Sequence, residues 1–290
     1  MKITLSQYAG FCEGVERAYE IIKKASKDKK VKKPIFVFGS LVHNQDVVDR
    51  IEKLGVRKIS LTEDLNELLD SIKKEVGTLV ITAHGMGPEI YELTKKKKIS
   101  VIDTTCPRVM KAQRLAKIFA DRKAQIIIIG DKKHKETKGI NEWTNSQAIL
   151  IENKKDLKTL KLNLKKKISI ISQTTQDQDF TEYVNNFVKK QYPSAEIMDT
   201  ICSTTHNRQT ELKNMAKSND VIIAIGSPES ANSTRLWEIA KRINPKAYFI
   251  ERASQIKKEW LRNCQTVGIT AGASTPGWII DEIMENLKNL

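Results

Sequence analysis

The sequence predicts an α/β protein built from three similar lobes, each with a small, mostly parallel sheet. Three observations carry that prediction. Uninterrupted Ile/Val-rich runs recur along the chain, as in IFVF (35–38), IIIIG (126–130) and VIIAIG (221–226), and such runs suit parallel strands covered on both faces. Amphipathic stretches alternate with them, beginning with Val15, Ala18, Ile22 and Ala25 at helical spacing. Cysteines 12, 106 and 202 recur about every 95 residues, a period long enough for one supersecondary unit.

The units read alike when followed in order. Cys12 opens the helical pattern EGVERAYEII; the strand IFVF ends at Gly39, and His43 stands four residues beyond. TLVIT (78–82) then leads to the polar tip Thr82-Ala83-His84, and Asp103-Thr104-Thr105-Cys106 closes the unit. The second unit starts its helix at Pro107, a residue suited to the first helical position, and runs to a strand ending at Gly130, with His134 four residues on. ISIIS (168–172) leads to the tip Ser172-Gln173-Thr174, and Asp199-Thr200-Ile201-Cys202 closes it. In the third unit STTHNRQTELKNMA precedes a strand ending at Gly226, with Ser230 in the place of the histidines. TVGIT (266–270) then leads to Ala271-Gly272-Ala273-Ser274. Its returning strand is missing, and residues 1–12 are positioned to supply it. The expected lobes are therefore 13–106, 107–199, and 200–290 completed by 1–12. No Gly/Ser-rich linker separates them, so they are expected to pack around a shared axis that brings cysteines and polar tips together.

Composition excludes several classes. With 290 residues and 40% hydrophobic content the chain can bury a substantial core and is neither disordered nor membrane-spanning, since no apolar stretch approaches roughly 20 residues. The N-terminus MKITLSQYAG resembles neither a secretory signal nor a transit peptide, so a cytoplasmic location with reduced thiols is expected. The net charge of +15 comes largely from Lys runs such as KKASKDKKVKK (23–33) and KKKK (95–98). Most of these read as solvated surface, with long-range steering of an acidic partner as their functional use. They are not interleaved with aromatic residues and no recognition motif accompanies them, so nucleic acid is not an expected partner.

The four cysteines have the spacing of neither a disulfide framework nor a zinc knuckle. A lone cysteine reads as a small buried hydrophobe. Three at matched positions, each before a helical pattern, read differently: helix N-termini favour thiolates and anions, and three thiolates around an axis match three corners of an iron–sulfur cubane, leaving one iron open to a substrate. Cys264 lies outside the repeat and reads as core filler. His43, His84 and His134 sit at predicted strand tips, while His206 reads as structural. Ser230, Asn232, Ser233 and Ser274 lie in small loops (GSPESANS, TAGAS) of the kind that bring backbone N–H groups to an anion. Histidines in two lobes and neutral donors in the third suggest a small diphosphate in a closed cavity. Glu136, in DKKHKETKG, reads by composition as a surface residue. A dehydratase, a cysteine hydrolase and an RNA-binding protein remain as rival readings; the first shares the open iron but needs no reductant, and the other two should be colourless.

These motifs, GFCEGVERA (10–18), VHN (42–44), AHG (83–85), DTTCP (103–107), HKETKG (134–139), SQTT (172–175), DTICSTTHNRQ (199–209), GSPESANSTRL (226–236) and TAGAST (270–275), give the chain a resemblance to the LytB family of 4-hydroxy-3-methylbut-2-enyl diphosphate reductases. The resemblance covers essentially the whole sequence. It implies a trefoil of three α/β lobes around a central [4Fe-4S] cluster held by Cys12, Cys106 and Cys202, with a [3Fe-4S] form where the open iron is lost. It implies reductive removal of the substrate hydroxyl to give isopentenyl and dimethylallyl diphosphates, with electrons from a reduced ferredoxin- or flavodoxin-like donor. Diphosphate contacts carry over to His43, His84, His134, Ser230, Asn232 and Ser274. Thr174 corresponds to a threonine near the substrate hydroxyl, and Glu136 to the proton donor. Ala231 stands where many members have a second Ser, leaving only its backbone N–H to serve, and Lys135 replaces the Pro common between His and Glu.

Overall fold

A computed structural model describes residues 1–62, 64–163 and 165–289. In chain order the elements are β1 (Lys2–Leu5), α1 (Glu13–Lys27), β2 (Ile35–Phe38), α2 (Gln45–Glu52), β3 (Val56–Ile59), α3 (Leu65–Ile72), β4 (Thr78–Ile81), α4 (Pro88–Lys96) and β5 (Ser100–Asp103). They continue with α5 (Pro107–Asp121), β6 (Gln125–Ile129), α6 (Lys135–Glu142), β7 (Ile149–Ile151), α7 (Lys154–Lys158), β8 (Ile168–Ser172), α8 (Gln178–Gln191) and β9 (Glu196–Ile197). The last part holds α9 (Ser203–Ser218), β10 (Val221–Ile225), α10 (Ala231–Ile243), β11 (Ala247–Ile250), two short 3₁₀ turns, β12 (Thr266–Ala271) and α11 (Gly277–Lys288).

Three four-stranded sheets result, in the orders β3-β2-β4-β5, β7-β6-β8-β9 and β11-β10-β12-β1. Every pairing in them is parallel. The architecture is α/β with three similar lobes, and β1 completes the third sheet by pairing Lys2–Leu5 with Thr266–Ile269. The central strands β2, β4, β6, β8, β10 and β12 are buried almost throughout, as their continuous apolar runs require. A fully buried Ile or Leu contributes about 1.5–3 kcal/mol, and Leu79, Ile81, Ile127, Ile129, Ile223 and Ile269 are all inaccessible to solvent.

Each sheet also has an edge strand that periodicity does not announce: β3, β7 and β11. These are short, and β3 shows why, since Arg57 and Lys58 are exposed between buried Val56 and Ile59. Their role is local. Gly39 donates to Ile59 O (2.7 Å), Gly130 to Ile151 O (3.0 Å) and Gly226 to Ile250 O (2.9 Å), so each edge strand fixes the glycine turn leaving the neighbouring strand. That bond is the same in all three lobes.

The chain divides into two compact units. One comprises Met1–Glu16, Val42–Val47 and Cys202–Leu290, and contains the third sheet; the other comprises Arg17–Leu41 and Val48–Ile201, and contains the first and second. Among the described residues no helix is long and apolar enough to cross a membrane.

Candidate active site

The three cysteines start their helices in the same way. Glu16 N–H donates to Cys12 O, Met110 N–H to Cys106 O and His206 N–H to Cys202 O, all at 2.9 Å. Cys106 and Cys202 are N-caps with nearly identical backbones, φ −60, ψ 134 and φ −66, ψ 135, and neither side chain caps its own helix. Each cysteine thus sits at the positive end of a long helix, where thiolates and anions are favoured. All three are half-buried and outside any disulfide. Matched strand tips hold two of them: Cys12 N–H donates to Ala273 O (3.4 Å) and Cys106 N–H to Ala83 O (3.0 Å). Cys264, by contrast, packs against the apolar core of the third lobe and donates its thiol to Thr266 O (3.2 Å).

The larger unit carries His84, His134, Glu136 and Thr174. The expectation from composition that Glu136 lies on the surface is overturned: it is 2% exposed. The segment is a helix, α6, rather than a Lys-rich loop, and its flanking Lys138 is exposed while Glu136, Thr137 and Ile140 face inward. The Glu136 carboxyl accepts from Thr174 N–H (2.6 Å) and faces the Thr174 hydroxyl (2.9 Å). Burial outweighs both hydrogen bonds and pushes its pKa up to about 7. His134 is the N-cap of α6; its Nδ1 accepts from Glu136 N–H (3.2 Å), which leaves Nε2 to carry the proton of the neutral ring. The His134 ring meets His84 edge to face, centroids 5.4 Å apart.

Gln173, which the sequence reading placed in a polar tip without a role, organises this region. Its side-chain oxygen accepts from Asp131 N–H (2.9 Å) and Thr137 Oγ1 (3.1 Å), and its amide donates to Thr175 Oγ1 (2.9 Å). It is fully buried, and it ties the turn before α6 to the tip after β8, the two segments that present Glu136 and Thr174. The signal was its position beside Thr174 in the repeat.

The smaller unit carries Cys12, His43, Cys202, Ser230, Ala231, Asn232 and Ser274. Ser230 caps α10, accepting from Ser233 N–H (3.4 Å), and its hydroxyl also meets Ser233 Oγ (3.0 Å) and Ser274 Oγ (3.1 Å). A Cβ on either Gly226 or Gly272 would overlap the Ser233 hydroxyl, so two bare backbones make room for this cluster. Asn232 is 7% exposed, yet its side-chain amide nitrogen has no hydrogen-bond partner among the described residues. A buried unpaired amide costs about 1–3 kcal/mol, and this one stands beside a helix N-terminus, where anions are favoured. His43 Nδ1 lies 3.5 Å from the Glu229 carboxylate. His206 is exposed on α9.

Among the described residues no three His, Cys, Asp or Glu side chains are gathered closely enough for one metal ion. A cubane ligated at three separate irons holds its thiolates farther apart than one ion does, so the donor set must be judged by its chemistry. Two observations fit an anionic cluster. The cysteines share one helix-terminal geometry, and Arg208 is a buried cation (2% exposed) whose pKa is lowered by burial, while the Cys12 and Cys202 sulfurs act in the opposite direction and favour its charged form. Among the described residues its hydrogen bonds go to two backbone carbonyls and its Nε has no partner.

The LytB protein family matches residues 3–288. The chain belongs to the LytB family of 4-hydroxy-3-methylbut-2-enyl diphosphate reductases. A reductase of that name from Alkaliphilus oremlandii is 35% identical over 291 residues, covering 100% of both chains. The one from Bacillus subtilis is 37% identical over 281 residues, covering 96% of this chain and 88% of its own. Among solved structures, the Plasmodium falciparum E-1-hydroxy-2-methyl-but-2-enyl-4-diphosphate reductase superposes with a TM-score of 0.89 at 32% identity, covering 100% of this chain and 87% of that one. A second solved structure, described as the terminal enzyme of the non-mevalonate pathway, gives 0.68 at 32% identity with both chains fully covered. LytB membership and the three parallel sheets agree with what the motifs implied.

Proposed function

We propose that this LytB protein reductively dehydroxylates 4-hydroxy-3-methylbut-2-enyl diphosphate to isopentenyl and dimethylallyl diphosphates, the last step of the non-mevalonate pathway. Cys12, Cys106 and Cys202 are the proposed ligands of a [4Fe-4S] cluster. The lobe boundaries 13–106, 107–199, and 200–290 with 1–12 belong to the same reading, supported by strands that fall within those spans.

The observation that carries the proposal is the Glu136–Thr174 pair. A carboxyl with a pKa near 7 holds a transferable proton at neutral pH, and the Thr174 hydroxyl against it is a relay. When bound, the cluster supplies electrons and a Lewis-acidic iron not occupied by a protein thiolate. Removing the hydroxyl consumes two electrons and two protons: the C–O bond breaks, one proton leaves with the oxygen as water, and the other ends on carbon. Glu136 supplies the first through Thr174. Ser230, Asn232, Ser274 and the backbone N–H of Ala231 are the proposed diphosphate donors on one unit, with His43, His84 and His134 completing the set. Neutral donors in a water-excluded site suit a dianionic group, because a charge pair about 4 Å apart is worth about 4 kcal/mol at an effective dielectric of 20 and about 1 in water. Electrons come from a reduced ferredoxin- or flavodoxin-like protein.

Anaerobically purified protein should be brown, carry several irons per chain and convert the substrate only when a reductant is present. Colourless protein, or turnover without a reductant, would overturn the reading.

A further inference from the structure

Arg208 lies one and a half turns into α9 and is buried, and among the described residues its hydrogen bonds go to two backbone carbonyls near Cys12. Its Nη2 donates to Gly10 O (2.7 Å) and its Nη1 to Ala271 O (2.9 Å). Gly10 sits two residues before Cys12 with φ +96, and Ala271 sits two residues before Ala273, which accepts from Cys12 N–H. The planar guanidinium thus spans both sides of the loop that presents Cys12, while its own helix starts at Cys202. The nearby carboxylate, Glu211, acts on Arg208 through space, its own hydrogen bonds coming from the Ser6 hydroxyl and Gln7 N–H (3.0 Å). Carbonyls hydrogen-bond a guanidinium but do not neutralise it, and burial disfavours the charged form, so nearby negative charge is needed to hold it.

We infer that Arg208 is a positioning residue whose fixed positive charge is the counter-charge of the cluster, stabilising its reduced state while its two hydrogen bonds hold the Cys12 loop. The inference rests on the reading that Cys12 and Cys202 are cluster ligands. A permanent cation close to a cluster favours the state with one more electron, and net local charge is one of the determinants of cluster potential. Arginine suits the task because it stays charged when buried and its fork reaches two carbonyls at once.

Redox titration of the loaded protein, followed by its electron paramagnetic resonance, tests this. Arg208→Met should retain a cluster whose reduction is disfavoured at least tenfold, a fall of about 59 mV in midpoint for one electron. Arg208→Lys, which keeps the charge without the fork, should recover at least half of that fall. Should the Met variant not fold, Arg208→Gln, uncharged but able to donate to one carbonyl, is read in the same way. An unchanged midpoint in the uncharged variant overturns the inference, as does a Lys variant as low as the uncharged one, which would leave only the clamp. Absence of iron from the wild-type protein would instead defeat the underlying assignment of the cysteines.

Discussion

At the scale of single residues, Glu136 ties stability to reactivity. Its pKa rises from 4.5 to about 7 on folding because the carboxyl is buried. The folded state therefore holds a proton that the unfolded chain releases. The stabilisation from this site is complete below about pH 4.5, falls as pH rises, and is gone above about pH 7, a change on the order of 3 kcal/mol. Glu136→Gln keeps the size, accepts from Thr174 N–H and can donate to the Thr174 hydroxyl. Denaturant unfolding of apoprotein should thus show the wild type losing stability relative to Glu136→Gln between about pH 4.5 and 7; parallel profiles would contradict the burial argument. The same substitution removes the proton for transfer, a service typically worth about 10²–10⁴-fold in rate. Turnover should fall at least about 10²-fold with the cluster intact, and wild-type turnover should decline as pH passes about 7. A surface ion pair with Lys138 would instead have been worth about 0–1 kcal/mol and little rate. The cysteines divide by the same reasoning. Cys264→Ser should retain its iron because Cys264 packs in the third-lobe core, whereas Ser at 12, 106 or 202 should abolish stable binding. Iron analysis of folded variants decides, and loss of iron from Cys264→Ser would sink the three-ligand assignment.

At the scale of elements, the start of α10 is packed closely enough that one added methyl should disturb the proposed diphosphate donors. Ser233 sits between the bare backbones of Gly226 and Gly272 and meets Ser230, which meets Ser274. Gly272→Ala puts a methyl into that hydroxyl, with further contacts at Ser233 Cβ (2.9 Å) and Cα (3.2 Å), so the backbone of α10 must yield and not merely a rotamer. Overpacking of this kind costs about 1–3 kcal/mol, and the displaced donors should raise KM for the diphosphate more than they lower kcat. A calorimetric melt with steady-state kinetics checks both, and an unaltered KM would remove α10 from substrate binding. The central strands and the helices after each cysteine were legible in the sequence because continuous Ile/Val runs and a long repeat announce them. The edge strands β3, β7 and β11 were not, being short, half-exposed and recognisable only by the hydrogen bond each offers a glycine turn. The burial of Glu136 was hidden for a related reason. About half a turn of α6 separates inward Glu136 from exposed Lys138, and composition averages over both faces.

At the scale of the whole molecule, the threefold pattern extends below what the sequence displays. The glycine-to-edge-strand bond and the cysteine-to-helix bond recur in all three lobes at nearly the same lengths, although few side chains are shared. Backbone geometry is what the repeat preserves, and side chains differ between lobes where the proposed chemistry needs them to differ: histidine after Gly39 and Gly130, serine after Gly226. Charge is the other property of the whole chain. The net +15 is carried largely by Lys whose contribution to folding is small, since exposed pairs such as Lys117–Asp121 contribute about 0–1 kcal/mol. On the proposed function its value lies in encounter. A basic protein meeting an acidic electron donor gains association rate from long-range attraction, and that gain depends on ionic strength. The Debye length falls from about 10 Å at 0.1 M salt to about 3 Å at 1 M, shorter than the gap across which two approaching proteins first orient. Turnover limited by a ferredoxin- or flavodoxin-like donor should therefore drop steeply over that range. Turnover driven by a small neutral reductant should stay nearly level, because uncharged collisions are not steered. Stopped-flow oxidation of the reduced donor at several salt concentrations separates the two, and a flat response with the protein donor would show that the Lys-rich surface has no part in electron delivery.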